Sequence, residues 1–160
     1  MIDLARALAV FHAQHVEFII IGGMAARAHG SARVTQDVDL VYSRTDENIG
    51  RLVKALAPFN PYLRGAPPKL PFEWSAKTIK AGLNFTLDTT LGEVDVLGEV
   101  AGGGRYEDLT GHSLILKVFG QQTQVISLPW LIRLKRAAGR VRDFEAIAEL
   151  ELLQDLAKSN

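Results

Sequence analysis

Residues 19–43 read IIIGGMAARAHGSARVTQDVDLVYS. An apolar β-branched run stops at Gly22-Gly23, and an alanine-rich segment continues to Gly30. A second apolar run then carries charge at Asp37 and Asp39. The first run is short and closed by glycines, which predicts a buried strand. MAARAH has helix-forming composition and predicts a short helix ending at Gly30. Side chains two apart on a strand leave the same face, so Asp37 and Asp39 stand together while Val38 and Leu40 enter the core. Alternating acid and apolar residues also describe any half-exposed strand. The order of the parts weighs against that plainer reading. Glycines between a strand and a helix let a backbone approach a phosphate closely, and the paired aspartates follow directly. The turn is no P-loop, because G-x-x-x-x-G-K-[ST] is absent.

The same alternation recurs at Glu93-Val94-Asp95-Val96. With the two strands as neighbours, Asp95 stands beside the first pair and three carboxylates converge. Like charges that close are unfavourable unless a cation neutralises them. Hard oxygen ligands suit Mg²⁺ or Mn²⁺, and two such ions about 3.5–4 Å apart are the usual device of phosphoryl and nucleotidyl transfer.

The rest of the chain supplies a scaffold. Asp3 is a candidate cap for a helix over residues 3–14 with Leu4, Leu8 and Phe11 inward, and Thr45 for one carrying Ile49, Leu52, Val53 and Leu56. Five of the six prolines fall between residues 58 and 71, which predicts an irregular surface loop. SAKTIKAG reads as a short helix. NFTLDTT and EVDVLGEV flank Leu91-Gly92 as a hairpin, AGGGR reads as a flexible connection, and SLILKVFGQQTQVI as a second hairpin. SLPWLIRLKRAAG has an early proline and a terminal glycine, both helix signals. RDFEAIAELELLQDL closes the chain as a helix with Phe144, Ile147, Leu150 and Leu153 as its apolar side. The fold class expected is α+β, a single domain over residues 1–160, with a mixed sheet flanked by helices and a helical C-terminus.

Composition narrows the function. Of 160 residues, 48% are hydrophobic, enough for a real core, and 18 basic residues balance 18 acidic ones. The sequence lacks the basic excess of a general nucleic-acid binder. It has no cysteine, which removes disulfides, thiolate zinc sites and cysteine nucleophiles. The opening MIDLARALAVFHAQH has no signal-peptide core, and no apolar run nears spanning length, so a cytoplasmic protein with no membrane partner is expected.

GGMAARAHGSARVTQDVDL resembles the signature of nucleotidyltransferases with the DNA polymerase β-like fold. LGEVDVLGEVAGGGRYEDL and LPWLIRLKRAAGRVRDFEAI are similar to a short bacterial branch related to the AbiEii-like abortive-infection toxins. The resemblance covers roughly residues 10–150. It implies that Asp37, Asp39 and Asp95 bind Mg²⁺ (or Mn²⁺), with Asp95 taking the proton of the attacking hydroxyl. It places Gly22 and Gly23 on the turn that holds the phosphates of a nucleoside triphosphate. Many members carry serine second in that turn, and Gly23 has no hydroxyl to offer. Lys135 is the matching candidate for the incoming phosphates. By the i, i+2 rule Arg33 and Thr35 share the side of Asp37, the arginine placed for a triphosphate and the threonine to brace a metal ligand. Arg133, Arg136 and Arg140 read as a solvated helix face, Asp143 as serving the start of the final helix, and His12 and His15 as surface residues. The activity implied is transfer of a nucleoside monophosphate to a hydroxyl of a protein, tRNA or small molecule. A toxin–antitoxin or phage-defence setting, with a partner protein encoded nearby, goes with that branch. A non-catalytic antitoxin-like binder on the same fold is the alternative, and metal-dependent phosphoester hydrolysis a third reading.

Overall fold

The computed structural model describes residues 3–159. Helix α1 (Leu4–Ala13) begins where the Asp3 carboxylate accepts from the Arg6 amide at 3.1 Å. Strand β1 (Phe18–Ile21) runs into α2 (Gly22–Ala28) with no residue between them. An extended segment leads to β2 (Asp37–Tyr42). Helix α3 (Asp46–Leu56) is capped by Thr45, whose hydroxyl accepts from the Asn48 amide at 3.2 Å. Next come β3 (Tyr62–Leu63), the Ser75-capped α4 (Ala76–Ala81) and the hairpin of β4 (Asn84–Thr89) with β5 (Gly92–Leu97). A miniature hairpin, β6 (Glu99–Val100) with β7 (Gly104–Arg105), precedes α5 (Tyr106–Leu109). Strands β8 (Ser113–Val118) and β9 (Gln121–Ile126) form the last hairpin, and α6 (Leu128–Ala138) and α7 (Phe144–Lys158) finish the chain.

Seven strands make one mixed sheet in the order β3-β4-β5-β2-β1-β9-β8. β2 pairs with β5, and β1 with β9, in parallel; the other neighbours are antiparallel. One face carries Phe18, Ile20, Val38, Leu40, Val94 and Val96, all buried, with α1 and α3 packed over it. Phe11 of α1 meets Phe18 with ring centroids 5.5 Å apart. Burying each such large apolar side chain contributes about 1.5–3 kcal/mol. On the opposite face α2 packs on β1, β2 and β9, and α6 packs against α2 and α7. That face stays open over β5 and β4, where Glu93, Thr86 and Asp88 are exposed. The α+β architecture with a mixed sheet and a helical C-terminus matches the expectation.

Four local readings change. The proline-rich stretch contains β3, because the residues between Pro61 and Pro67 are free to pair with β4. AGGGR is a tight hairpin turn rather than a loose tether. Phe144 lies on the solvent side, 60% exposed, so the inward face of α7 is carried by Ile147 and Leu150. His12 is bonded to the Thr123 hydroxyl at 3.0 Å against β9, and burial lowers its pKa. No helix among the described residues is long and apolar enough to cross a membrane.

Candidate active site

The parallel pairing of β2 with β5 sets Asp39 directly opposite Asp95, and Asp37 opposite Glu93. Asp37, Asp39 and Asp95 each bring a carboxylate oxygen within 4.8 Å of the others. Asp39 Oδ1 and Asp95 Oδ1 are buried and accept no aligned hydrogen bond. Burial first, and then the charges of Asp37 and Asp95, push the Asp39 carboxyl up to about 8. Gly22 opens this site. Its φ is +67°, and a Cβ there would overlap Asp39 Oδ2, so this position needs glycine for conformation and for space.

Thr35 supports the cluster from the side. Its hydroxyl donates to the Asp37 carbonyl at 3.0 Å and lies 3.4 Å from Asp37 Oδ1. A Cβ at Gly23 would sit 2.8 Å from that same hydroxyl oxygen. The space a serine side chain would need at position 23 is therefore filled by Thr35. The β2 ladder begins only at Asp37, so Thr35 and Arg33 reach the site from the extended lead-in rather than from a strand.

The open face continues the pattern across the sheet. Asp39, Asp95 and Thr86 form one row, and Asp37, Glu93, Asp88 and Tyr62 the next. Arg64, just past β3, closes the first row: its amide donates to the Thr86 carbonyl at 2.9 Å. Its Nη2 lies 2.8 Å from Asp95 Oδ1. That contact is not along an N–H direction, so it is an ion pair that leaves Oδ1 without an aligned donor. Sequence reading missed Arg64, which sits among prolines and finds Asp95 only through the sheet. The one local signal was Tyr62 and Arg64 at strand spacing in the gap between Pro61 and Pro67.

On the other side of the carboxylates a cavity of about 390 Å³ opens between α2, α6 and α7. Gly22, Gly23 and the three aspartates line it, and so do four cations, Arg33, Lys135, Arg140 and Arg142. Its size falls within the range of small-molecule sites, about 300–1,000 Å³. Three of these cations, Lys135, Arg140 and Arg33, already have a carboxylate. Lys135 Nζ is 3.9 Å from Asp143 Oδ1, and Arg140 Nε is 2.7 Å from Asp143 Oδ2. Arg33 Nε pairs with Glu149 at 2.8 Å and Nη2 with Glu145 at 3.8 Å. The Ser31 hydroxyl donates to Glu149 as well, and that bond, with Arg33, holds the Glu149 carboxyl below its usual range. Arg140 is exposed and Asp143 is the N-cap residue of α7, as the sequence suggested, and both also line this cavity. His29, which ends α2, bonds the Ile126 carbonyl at 2.8 Å and fastens α2 to β9. Arg133 and Arg136 stay outside the cavity wall, over Trp130 and on Glu151 respectively.

The residues present fit a hard divalent cation. The donors are all carboxylate oxygens, two of them buried without a hydrogen-bond donor, and their mutual repulsion is what a cation relieves. The fold has a solved counterpart. It aligns with a crystal structure from Thermotoga maritima described as a "putative nucleotidyltransferase", at TM-score 0.53 and 14% sequence identity, covering 100% of this chain and 97% of that one. At that identity the likeness shows a shared fold. No family model matches the sequence, and no curated protein does.

Proposed function

We propose that the chain is a metal-dependent nucleotidyltransferase that moves a nucleoside monophosphate from a nucleoside triphosphate to a hydroxyl of an acceptor. The observation that carries this reading is the convergence of Asp37, Asp39 and Asp95 at the Gly22-Gly23 bend, on the rim of a cavity walled by cations. The shared fold with the Thermotoga maritima protein supports it. In this reading Asp37, Asp39 and Asp95 hold Mg²⁺ or Mn²⁺. Such an ion, when bound, offsets phosphate charge and makes the acceptor hydroxyl more acidic. Thr35 fixes Asp37, and the bare backbone at 22 and 23 lets Asp39 and Thr35 close against the bend beside which the phosphates sit. Lys135, Arg140 and Arg33 face those phosphates and exchange part of their bonding to Asp143 and Glu149 for phosphate oxygens. Asp95 accepts the proton as the acceptor oxygen bonds to the α-phosphorus; the bond from that phosphorus to the β-phosphate bridge breaks, and pyrophosphate leaves.

The acceptor classes are those that the sequence resemblance brings: a protein, a tRNA end or a small molecule. The toxin–antitoxin setting, a partner encoded nearby and a cytoplasmic location belong to the same proposal. The test is incubation with Mg²⁺, cell lysate and ATP, CTP, GTP or UTP labelled at the α- or the γ-phosphate. Label from the α position, and not the γ, is expected in a product, with pyrophosphate released. Failure to transfer with every nucleotide, alongside tight binding of a neighbouring gene's product, supports the antitoxin-like binder instead. Release of labelled phosphate from a phosphoester without transfer supports hydrolysis.

A further inference from the structure

Arg64 is the one cation in contact with the three-carboxylate cluster among the described residues, and it approaches from the side opposite the cavity. Its side chain is only 27% exposed and that of Asp95 only 17%. Four contacts hold it. Nη2 donates to the Leu87 carbonyl at 2.8 Å and lies against Asp95 Oδ1, while Nε is 3.3 Å from Asp88 Oδ1 and 3.9 Å from Glu93 Oε1. The guanidinium is thus anchored by the β4 backbone and two flanking acids, and the nitrogen that bonds the backbone also lies against Asp95. A planar fork suits this simultaneous grip, and an ammonium does not.

We propose that Arg64 is a positioning residue for Asp95: it holds the third carboxylate in register with Asp39 and fixes the charge of the cluster at which divalent cations bind. The inference rests on the reading of the three acids as a metal site. Two consequences follow from the geometry. The guanidinium stands beside a ligand and repels an arriving cation, so it weakens metal binding. It also holds Asp95 in the orientation that the transfer step uses, so it speeds turnover. Because Arg64 is outside the cavity, it leaves nucleotide affinity alone. A residue that merely stabilised the fold would move metal affinity and turnover together.

The experiment compares wild type with Arg64→Gln and Arg64→Lys, in Mn²⁺ titration calorimetry of the full chain, thermal melts and the labelled-nucleotide assay. Arg64→Gln is expected to bind Mn²⁺ about tenfold more tightly and to lose about tenfold or more in kcat, with KM for the nucleotide unchanged. Arg64→Lys keeps the charge and loses the fork, so it is expected to keep Mn²⁺ affinity and lose part of kcat. Unchanged or weakened Mn²⁺ binding in Arg64→Gln, with a melting temperature like that of wild type, overturns the proposal. So does equal loss of metal affinity in both variants with lowered melting temperatures. The metal titration reads out whether or not any acceptor is found. Tightened Mn²⁺ binding with no transfer by wild type therefore sinks the transferase reading while leaving the placement of Arg64 intact.

Discussion

The two walls of the cavity are opposite in more than charge. On the sheet side, Asp39 and Asp95 each keep a buried oxygen with no aligned donor. On the helix side, Lys135, Arg140 and Arg33 are each neutralised by Asp143 or Glu149. Of the three acids only Asp95 has a cation beside it, Arg64, whereas three of the four cations that line the cavity are paired with carboxylates. In the proposed reading a cation relieves the acids, and phosphate competes with the carboxylates that already hold Lys135, Arg140 and Arg33. The contrast assigns stability costs to the acids and affinity tuning to the bases.

The sharpest way to break it is at the acids. Asp39→Asn is expected to abolish transfer, by roughly 10³-fold or more, and to remove divalent binding. The same substitution relieves burial of a repelled charge, so the metal-free melting temperature should rise by about 3–6 °C. Scanning calorimetry of the two proteins in chelator checks it; a fall would mean that Asp39 is satisfied by something unseen. Gly22→Ala comes next. A methyl group forced on Asp39 Oδ2, at positive φ, should cost about 1–3 kcal/mol of stability and weaken Mn²⁺ binding, read by denaturant melts and titration. On the basic wall the expected effect is milder. Lys135→Met should raise KM for the nucleotide about tenfold with little change in kcat, because Arg140 still holds Asp143. Steady-state kinetics decide; an equal fall in kcat would put Lys135 in the transition state instead.

The smallest effect is on pH dependence. The Asp39 pKa is raised from 3.8 to about 8. A carboxyl shifted upward contributes stability that is full below its ordinary value and is lost as pH climbs through the raised one. Metal-free protein should therefore lose a few degrees of melting temperature between about pH 4 and pH 8, and millimolar Mg²⁺ should flatten the trend. A rise over that window in chelator would contradict the burial of Asp39 beside Asp37 and Asp95.

How far the sequence reveals this contrast depends on how locally each part is built. Asp37 and Asp39 are visible because strand alternation fixes their side, and Asp95 because its hairpin repeats the pattern. Asp3, Thr45 and Ser75 mark helix starts by the capping chemistry that the structure shows. The basic wall is far less legible. Helix α6 ends at Ala138 and Gly139 turns the chain, so Arg140 and Asp143 reach the cavity from beyond the helix, where helical spacing says nothing about them. Arg64 is invisible for the same reason, since its partner is set by which strand lies two places away in the sheet. Phe144 misleads because helical spacing places it with Ile147, although it falls at the first residue of α7, where packing has not begun. Local periodicity carries the acids, and tertiary geometry alone carries what balances them.

The parallel register that sets Asp39 against Asp95 has a bearing on biogenesis. Residues 43–91 lie between β2 and β5, so a growing polypeptide displays its first two ligands long before the third emerges. Such late, non-local closure is slow, and a slip of one position would turn Val94 or Val96 toward the opening and bury Asp95 in hydrocarbon. If the three acids bind a divalent ion as proposed, that ion stabilises only the arrangement in which all three oxygens meet.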